Sequence, residues 1–133
     1  MNSKAVLSQT EVSQIIKAAR AEAQANQWAV TIVVVDDGGH PLALERLDGC
    51  APSSAYIATE KARTSALGRR ETKSYEDMVN AGRYAFLSAP LLTSLEGGVP
   101  IVFDGQVIGA VGVSGVKPEQ DAQVAKAGAQ CVK

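Results

Sequence analysis

Two apolar runs flank Asp104-Gly105 in the stretch from Glu96 to Gly115. Asp-Gly suits the two-residue hairpin turn, because both residues tolerate positive φ at low cost. With this dipeptide as the loop, Phe103 pairs with Gln106, Ile101 with Ile108 and Val99 with Ala110, while Val102 faces Val107 on the other side. Both faces of the hairpin are then largely apolar. It needs cover on each side, from helices of its own chain or from another subunit. Antiparallel pairing also brings Gly97-Gly98 and Ser114-Gly115 together at the end opposite the turn, which makes that end a candidate site.

The rest of the chain supplies a second hairpin and the helices. Ser8-Gln9-Thr10-Glu11 fits a capping box, and Val12, Ile15, Ile16, Ala19 and Ala23 then recur on one helical face, predicting a first helix to about Asn26. Ala29 to Val35 is β-branched and almost continuously apolar, as a strand buried on both faces requires. Asp36-Asp37-Gly38-Gly39 ends it. A second strand, His40 to Leu47, sets Leu42, Leu44 and Arg46 on one side and Ala43, Glu45 and Leu47 on the other. Ser54 to about Leu67 is alanine-rich, lacks glycine and proline, and ends before Gly68, so a second helix packs closely through small side chains. Ser74 to Asp77 starts a short third helix carrying Met78, Val79, Gly82 and Phe86, and Ser88-Ala89-Pro90 stops it. Leu91 to Glu96 fits either a helical turn or a buried loop. Pro118 opens a terminal helix with Val124, Ala127 and Cys131 on its inner face. The order α-β-β-α-α-β-β-α, with strands joined by tight turns, predicts an α+β fold: an antiparallel sheet of two hairpins with helices packed on it.

A chain of 133 residues with a formal charge of -1 suits one domain, residues 1–133, and gives no electrostatic ground for a nucleic acid or an anionic membrane as partner. The opening residues lack the apolar segment of a secretory signal, so a cytoplasmic location is expected. Cys50 and Cys131 are far apart and belong to no Cys-x-x-Cys unit, which makes two free thiols the expected state. Helices of so short a chain do not easily cover every apolar strand position, and a homo-oligomer is the expected remedy, although a wrapped monomer satisfies the same pattern.

Among chemical motifs, Gly112-Val113-Ser114-Gly115 fails as a nucleophile elbow, since the second position after the serine is Val116. Glycines 105, 109 and 112 match neither a dinucleotide fingerprint nor a phosphate loop. His40 is the sole imidazole; it reads either as a strand-opening residue bonded to nearby backbone or as an exposed ligand at a sheet end. Aspartates 36, 48 and 104 sit at turns, where they bond their own backbone. Lys61, inside the alanine-rich helix, is either a solvated surface lysine or a partly desolvated group fit for ligand binding or proton transfer, and Arg46 and Glu96 offer an ion pair or anion recognition. The loops at Gly97-Gly98 and Ser114-Gly115 offer backbone N–H groups to an anion.

Taken in order, Val34-Val35-Asp36-Asp37-Gly38-Gly39-His40, Arg46-Leu47-Asp48, Glu60-Lys61-Ala62-Arg63-Thr64, Glu96-Gly97-Gly98-Val99-Pro100 and Asp104 to Gly115 resemble the GlcG/HbpS family, often labelled haem-degrading, and Glu60 to Leu95 looks closest to its GlcG branch. The resemblance covers nearly the whole chain. It implies an α+β fold with an antiparallel sheet, assembly into dimers or larger rings, an association with glycolate utilisation, and in some relatives binding of haem or a corrinoid. Carried over by position, it makes His40 a candidate haem-iron ligand and sets Asp36, Arg46, Lys61, Gly97, Gly98 and Ser114 around a pocket for a small, anionic ligand. The expected role is a ligand-binding protein accessory to glycolate or related hydroxy-acid metabolism. The alternatives are an enzyme acting on a small carboxylate or aldehyde, with Lys61 or His40 handling a proton and Arg46 pairing the carboxylate, and a haem-degrading protein.

Overall fold

The computed structural model describes residues 1–133. In chain order the elements are α1 (Gln9–Ala25), β1 (Thr31–Asp36), β2 (Pro41–Arg46), α2 (Ser53–Gly68), α3 (Lys73–Asn80), a 3₁₀ turn (Tyr84–Ser88), β3 (Gly98–Phe103), β4 (Gln106–Ser114) and α4 (Pro118–Ala129). This is the α-β-β-α-α-β-β-α order expected from the sequence. The strands form one antiparallel sheet in the order β2-β1-β4-β3, so the two hairpins meet through β1 and β4 at its centre.

Helices cover both faces of that centre. On one, α1 and α4 pack with Ile32, Val34, Val111 and Val113 in the main core, to which α1 contributes the expected stripe Val12, Ile15, Ile16, Ala19 and Ala23. On the other, α2 lays Ala58, Ala62 and Ala66 on Val33, Val35 and Ala110. Alanine is the right size here because Gly112 lies directly beneath the helix: a Cβ on it would collide with the Ala58 carbonyl and the Ala62 nitrogen. Small side chains on both partners let helix and strand approach backbone to backbone.

Four local expectations are corrected. Around the Asp104-Gly105 turn, whose residues have φ of 51° and 74°, Phe103 pairs with Gln106 and Val102 with Val107, but a bulge then places Ile101 opposite Gly109 and Val99 opposite Val111. Ile108 is the extra residue, and it remains buried. Ser8 makes no side-chain cap to α1, so the capping box does not form. The third helix stops at Asn80 because Gly82 turns to φ 112°, and Phe86 sits in the separate 3₁₀ turn, stacked on Tyr75 at 4.8 Å. Val124 is buried in the main core as expected, but the inner face of α4 also takes in Asp121, Ala125 and Gly128, leaving Ala127 and Cys131 half-buried. Gly128 sets this rotation, since a Cβ there would press on Ile15 of α1. Leu91 to Glu96 adopts no regular structure.

Candidate functional site

Strand register sorts the candidate residues between the two ends of the sheet. Thr31 pairs with both Arg46 and Ser114, whereas Asp36 pairs with Gly109 next to the opposite turns. Five residue steps along β1 put these ends roughly 17 Å apart at about 3.3 Å per residue. Arg46, Lys61, Gly97, Gly98 and Ser114 therefore gather at one end, and Asp36 and His40 stand at the other. The seven do not line one pocket.

At the first end the Lys61 side chain is buried and its Nζ donates to the Val113 carbonyl and to Asp121 Oδ2, each at 3.0 Å. Asp121, also buried, accepts from the Val116 N–H through Oδ1 at 3.1 Å. Burial holds the Asp121 carboxyl above its ordinary range, against the opposing pull of Lys61. Gly97 makes room for this pair: its φ is 132°, and a Cβ would lie 2.8 Å from Lys61 Nζ. The backbone of the glycine loop is likewise engaged, with Gly98 N–H donating to Thr72 Oγ1 at 2.8 Å and Gly97 O accepting from Val113. These groups are tied up internally rather than presented to an anion. Ser114 closes β4 beside a buried polar knot that sequence reasoning missed, in which Ser54 Oγ meets Thr31 Oγ1 at 2.7 Å and Cys50 Sγ at 2.8 Å. The signal for it was weak, because Cys50 and Ser54 are one helical turn apart but Thr31 joins them only through the fold. Arg46 points outward over an open groove of about 490 Å³ that also contains Trp28 and Asp48.

At the other end Asp36 organises the turn into β2. Its Oδ1 accepts from the N–H groups of Gly38 and His40, both at 2.9 Å, and His40 Nδ1 lies 3.1 Å from the same oxygen. The imidazole is 77% exposed. A carboxylate against Nδ1 is the arrangement that orients metal-binding histidines, and in a neutral ring whose Nδ1–H donates to Asp36 it leaves Nε2 as the nitrogen available to a ligand. Two arginines flank the turn: Arg63 of α2 packs over Gly39, and Arg69, just past the end of α2, donates to the Asp37 carbonyl. Lys4 pairs with the Asp37 carboxylate and, as the leading cause, holds its pKa below the usual range. Leu67, one turn beyond Arg63, and Leu91, whose carbonyl accepts from Arg63, are exposed. The turn thus offers a planar, apolar ligand such as haem an exposed imidazole and two exposed leucines, while the Arg63 guanidinium is paired with Glu60 and the Leu91 carbonyl and that of Arg69 with Asp37 and the Ala66 carbonyl. No group of three or more His, Cys, Asp or Glu side chains is gathered to hold a bare metal ion. Both thiols are free, and no helix is long and apolar enough to cross a membrane.

The chain matches the family model described as haem degrading protein HbpS-like over residues 7–130. It is 68% identical over 114 residues to Protein GlcG of Escherichia coli strain K12, covering 86% of this chain and 85% of that protein. Its fold is similar to the crystal structure of HbpS, with a TM-score of 0.90 and 26% identity over 100% of this chain and 94% of that one. A PduOC:haem complex superposes with a TM-score of 0.87 and 27% identity over 97% of this chain and 96% of that one. The chain belongs to the HbpS-like family.

Proposed function

We propose that this chain is a cytoplasmic, homo-oligomeric small-ligand-binding protein of the GlcG type, accessory to glycolate or related hydroxy-acid utilisation, and that haem is a ligand. The observation carrying the haem reading is the Asp36–His40 pair, which holds the imidazole through Nδ1 while the ring stays 77% exposed. The haem complex of the PduOC relative supports it. His40 would hold the iron, Asp36 would set the ring's orientation and raise its basicity, and Arg63 and Arg69 would stand near the rim carboxylates. When bound, haem supplies a redox-active iron at that position. The glycolate association rests on the kinship with Protein GlcG.

An enzyme using Lys61 for proton transfer has less support, because Lys61 Nζ is held by Asp121 and the Val113 carbonyl away from solvent. Haem titration followed in the visible spectrum tests the binding reading. A Soret shift in the wild-type protein that His40→Ala abolishes is expected. No shift, or one indifferent to His40→Ala, would remove His40 as the ligand.

A further inference from the structure

The turn before β2 holds two glycines, Gly38 and Gly39, and its backbone requires only one of them. The Asp36 carbonyl accepts the Gly39 N–H at 3.1 Å, which makes Asp37 and Gly38 the central pair of a tight turn. Gly39 has a φ of 80°, where a side chain is strained, and a Cβ on it would lie 2.7 Å from Arg63 Cγ. Gly38 is different. Its φ lies outside the left-handed region, so its backbone accepts alanine without strain. What a side chain there would meet is the imidazole: a Cβ would lie 2.9 Å from His40 Cε1 and 3.1 Å from Nδ1, with Asp36 Oδ1 next at 3.5 Å. Carbon atoms in ordinary contact stand about 3.5–4.0 Å apart, so the ring and a Cβ cannot share this space. The ring is the part that would yield, because it is exposed and sits at the end of a rotatable side chain.

We propose that Gly38 is a positioning residue for His40: its missing side chain lets the imidazole fold back over the turn, and from there Nδ1 reaches the Asp36 carboxylate. Its functional consequence rests on the reading of His40 as the haem-iron ligand, for then Nε2 is offered to iron in one tautomer and one orientation. Asp36 supplies the acceptor and Gly38 supplies the space. The hydrogen bonds of the ring all go to Asp36, so nothing else holds it in place. Pushed off Asp36, the imidazole becomes an ordinary exposed side chain, able to carry its proton on either nitrogen and to change rotamer. The second glycine of the turn, which the backbone does not need, is thus accounted for by the ring that lies on it.

Gly38→Ala is the test, and the chain's single histidine makes the readout direct. Nitrogen NMR of the isotope-labelled imidazole, at an alkaline pH where the ring is neutral, reads which nitrogen carries the proton. The wild type is expected to keep it on Nδ1, facing Asp36, and Gly38→Ala to shift toward the Nε2–H form that free histidine prefers. Haem affinity, from titration of the Soret band, is expected to fall about tenfold in Gly38→Ala. The variant should melt no lower than wild type, because alanine narrows the unfolded ensemble and the added methyl displaces only an exposed ring. An unchanged tautomer would overturn the proposal, as would an unchanged haem affinity where the wild type binds through His40. A lowered melting temperature would also overturn it, since Gly38 would then be a turn-former. A wild type that binds no haem through His40 would remove the haem reading instead, and the tautomer alone would then decide whether Gly38 seats the ring.

Discussion

Gly112 and Gly105 are the same residue type under opposite constraints. Under α2 a Cβ on Gly112 meets helix backbone on both sides, and neither strand nor helix can yield without separating. At the hairpin tip Gly105 has open space around it but a φ of 74°. Gly112→Ala should therefore cost about 3 kcal/mol or more, and Gly105→Ala about 1 kcal/mol, in urea unfolding. Equal losses would contradict the close-packing role of Gly112. Asp36 allows a subtler test. Asp36→Asn keeps an oxygen for the Gly38 and His40 N–H groups but removes the charge that orients the imidazole, so it should weaken haem binding about tenfold while leaving the Soret position little changed. An unchanged affinity would reduce Asp36 to a turn-former. Of these roles, the turn positions of Gly105 and Asp36 could be read from neighbouring residues, but the close approach at Gly112 could not. That the aspartate also reaches the ring of His40 depends on the geometry of the closed turn.

Between elements, the Lys61–Asp121 pair ties α2 on one face of the sheet to α4 on the other, passing the end of β4 where Gly97 leaves room. Lys61→Met should leave Asp121 buried without its cation and cost about 3–5 kcal/mol near neutral pH. The pH dependence has a definite sign. Asp121 already holds its proton above the ordinary value of 3.8, so the fold binds that proton more tightly than the unfolded chain, and stability from this group falls as pH rises through that interval. Removing Lys61 takes away the attraction that restrains the shift. The deficit of Lys61→Met relative to wild type should thus shrink on acidification, and Lys61→Met combined with Asp121→Leu should recover most of it. A deficit independent of pH would mean that lost packing, not the stranded carboxylate, is the cost. Helix existence and the α1 stripe were legible because they follow from local periodicity. Lys61's partner was not, since sixty residues separate it from Asp121 and nothing in either neighbourhood marks the pairing. The bulge at Ile108 and the rotation of α4 were hidden for the same reason: both are set by what packs across from them.

At the scale of the molecule, the sheet is finished on the β3 side less conspicuously than it is unfinished on the β2 side. β2 is an edge strand; Ala43 and, just past the strand, Leu47 pack with the main core, while Leu42 and Leu44 on its other face stay 42% and 50% exposed. The sequence showed that these positions alternate, but not how much of that face the helices would leave open. On the proposed homo-oligomeric reading a second copy of the chain would cover them, and because His40 immediately precedes β2, such an interface would also wall the imidazole that stands open here. Leu44→Lys should leave the monomer fold intact, since the side chain is half in water already. It should remove about 1–2 kcal/mol of association free energy per copy, a loss of roughly tenfold each. Light scattering across a dilution series should show dissociation at higher protein concentration in Leu44→Lys than in wild type, and haem affinity should fall in step with assembly. A wild-type protein that scatters as a monomer at every concentration would reject the interface. A Leu44→Lys variant that dissociates yet keeps its haem affinity would show that one chain holds haem unaided.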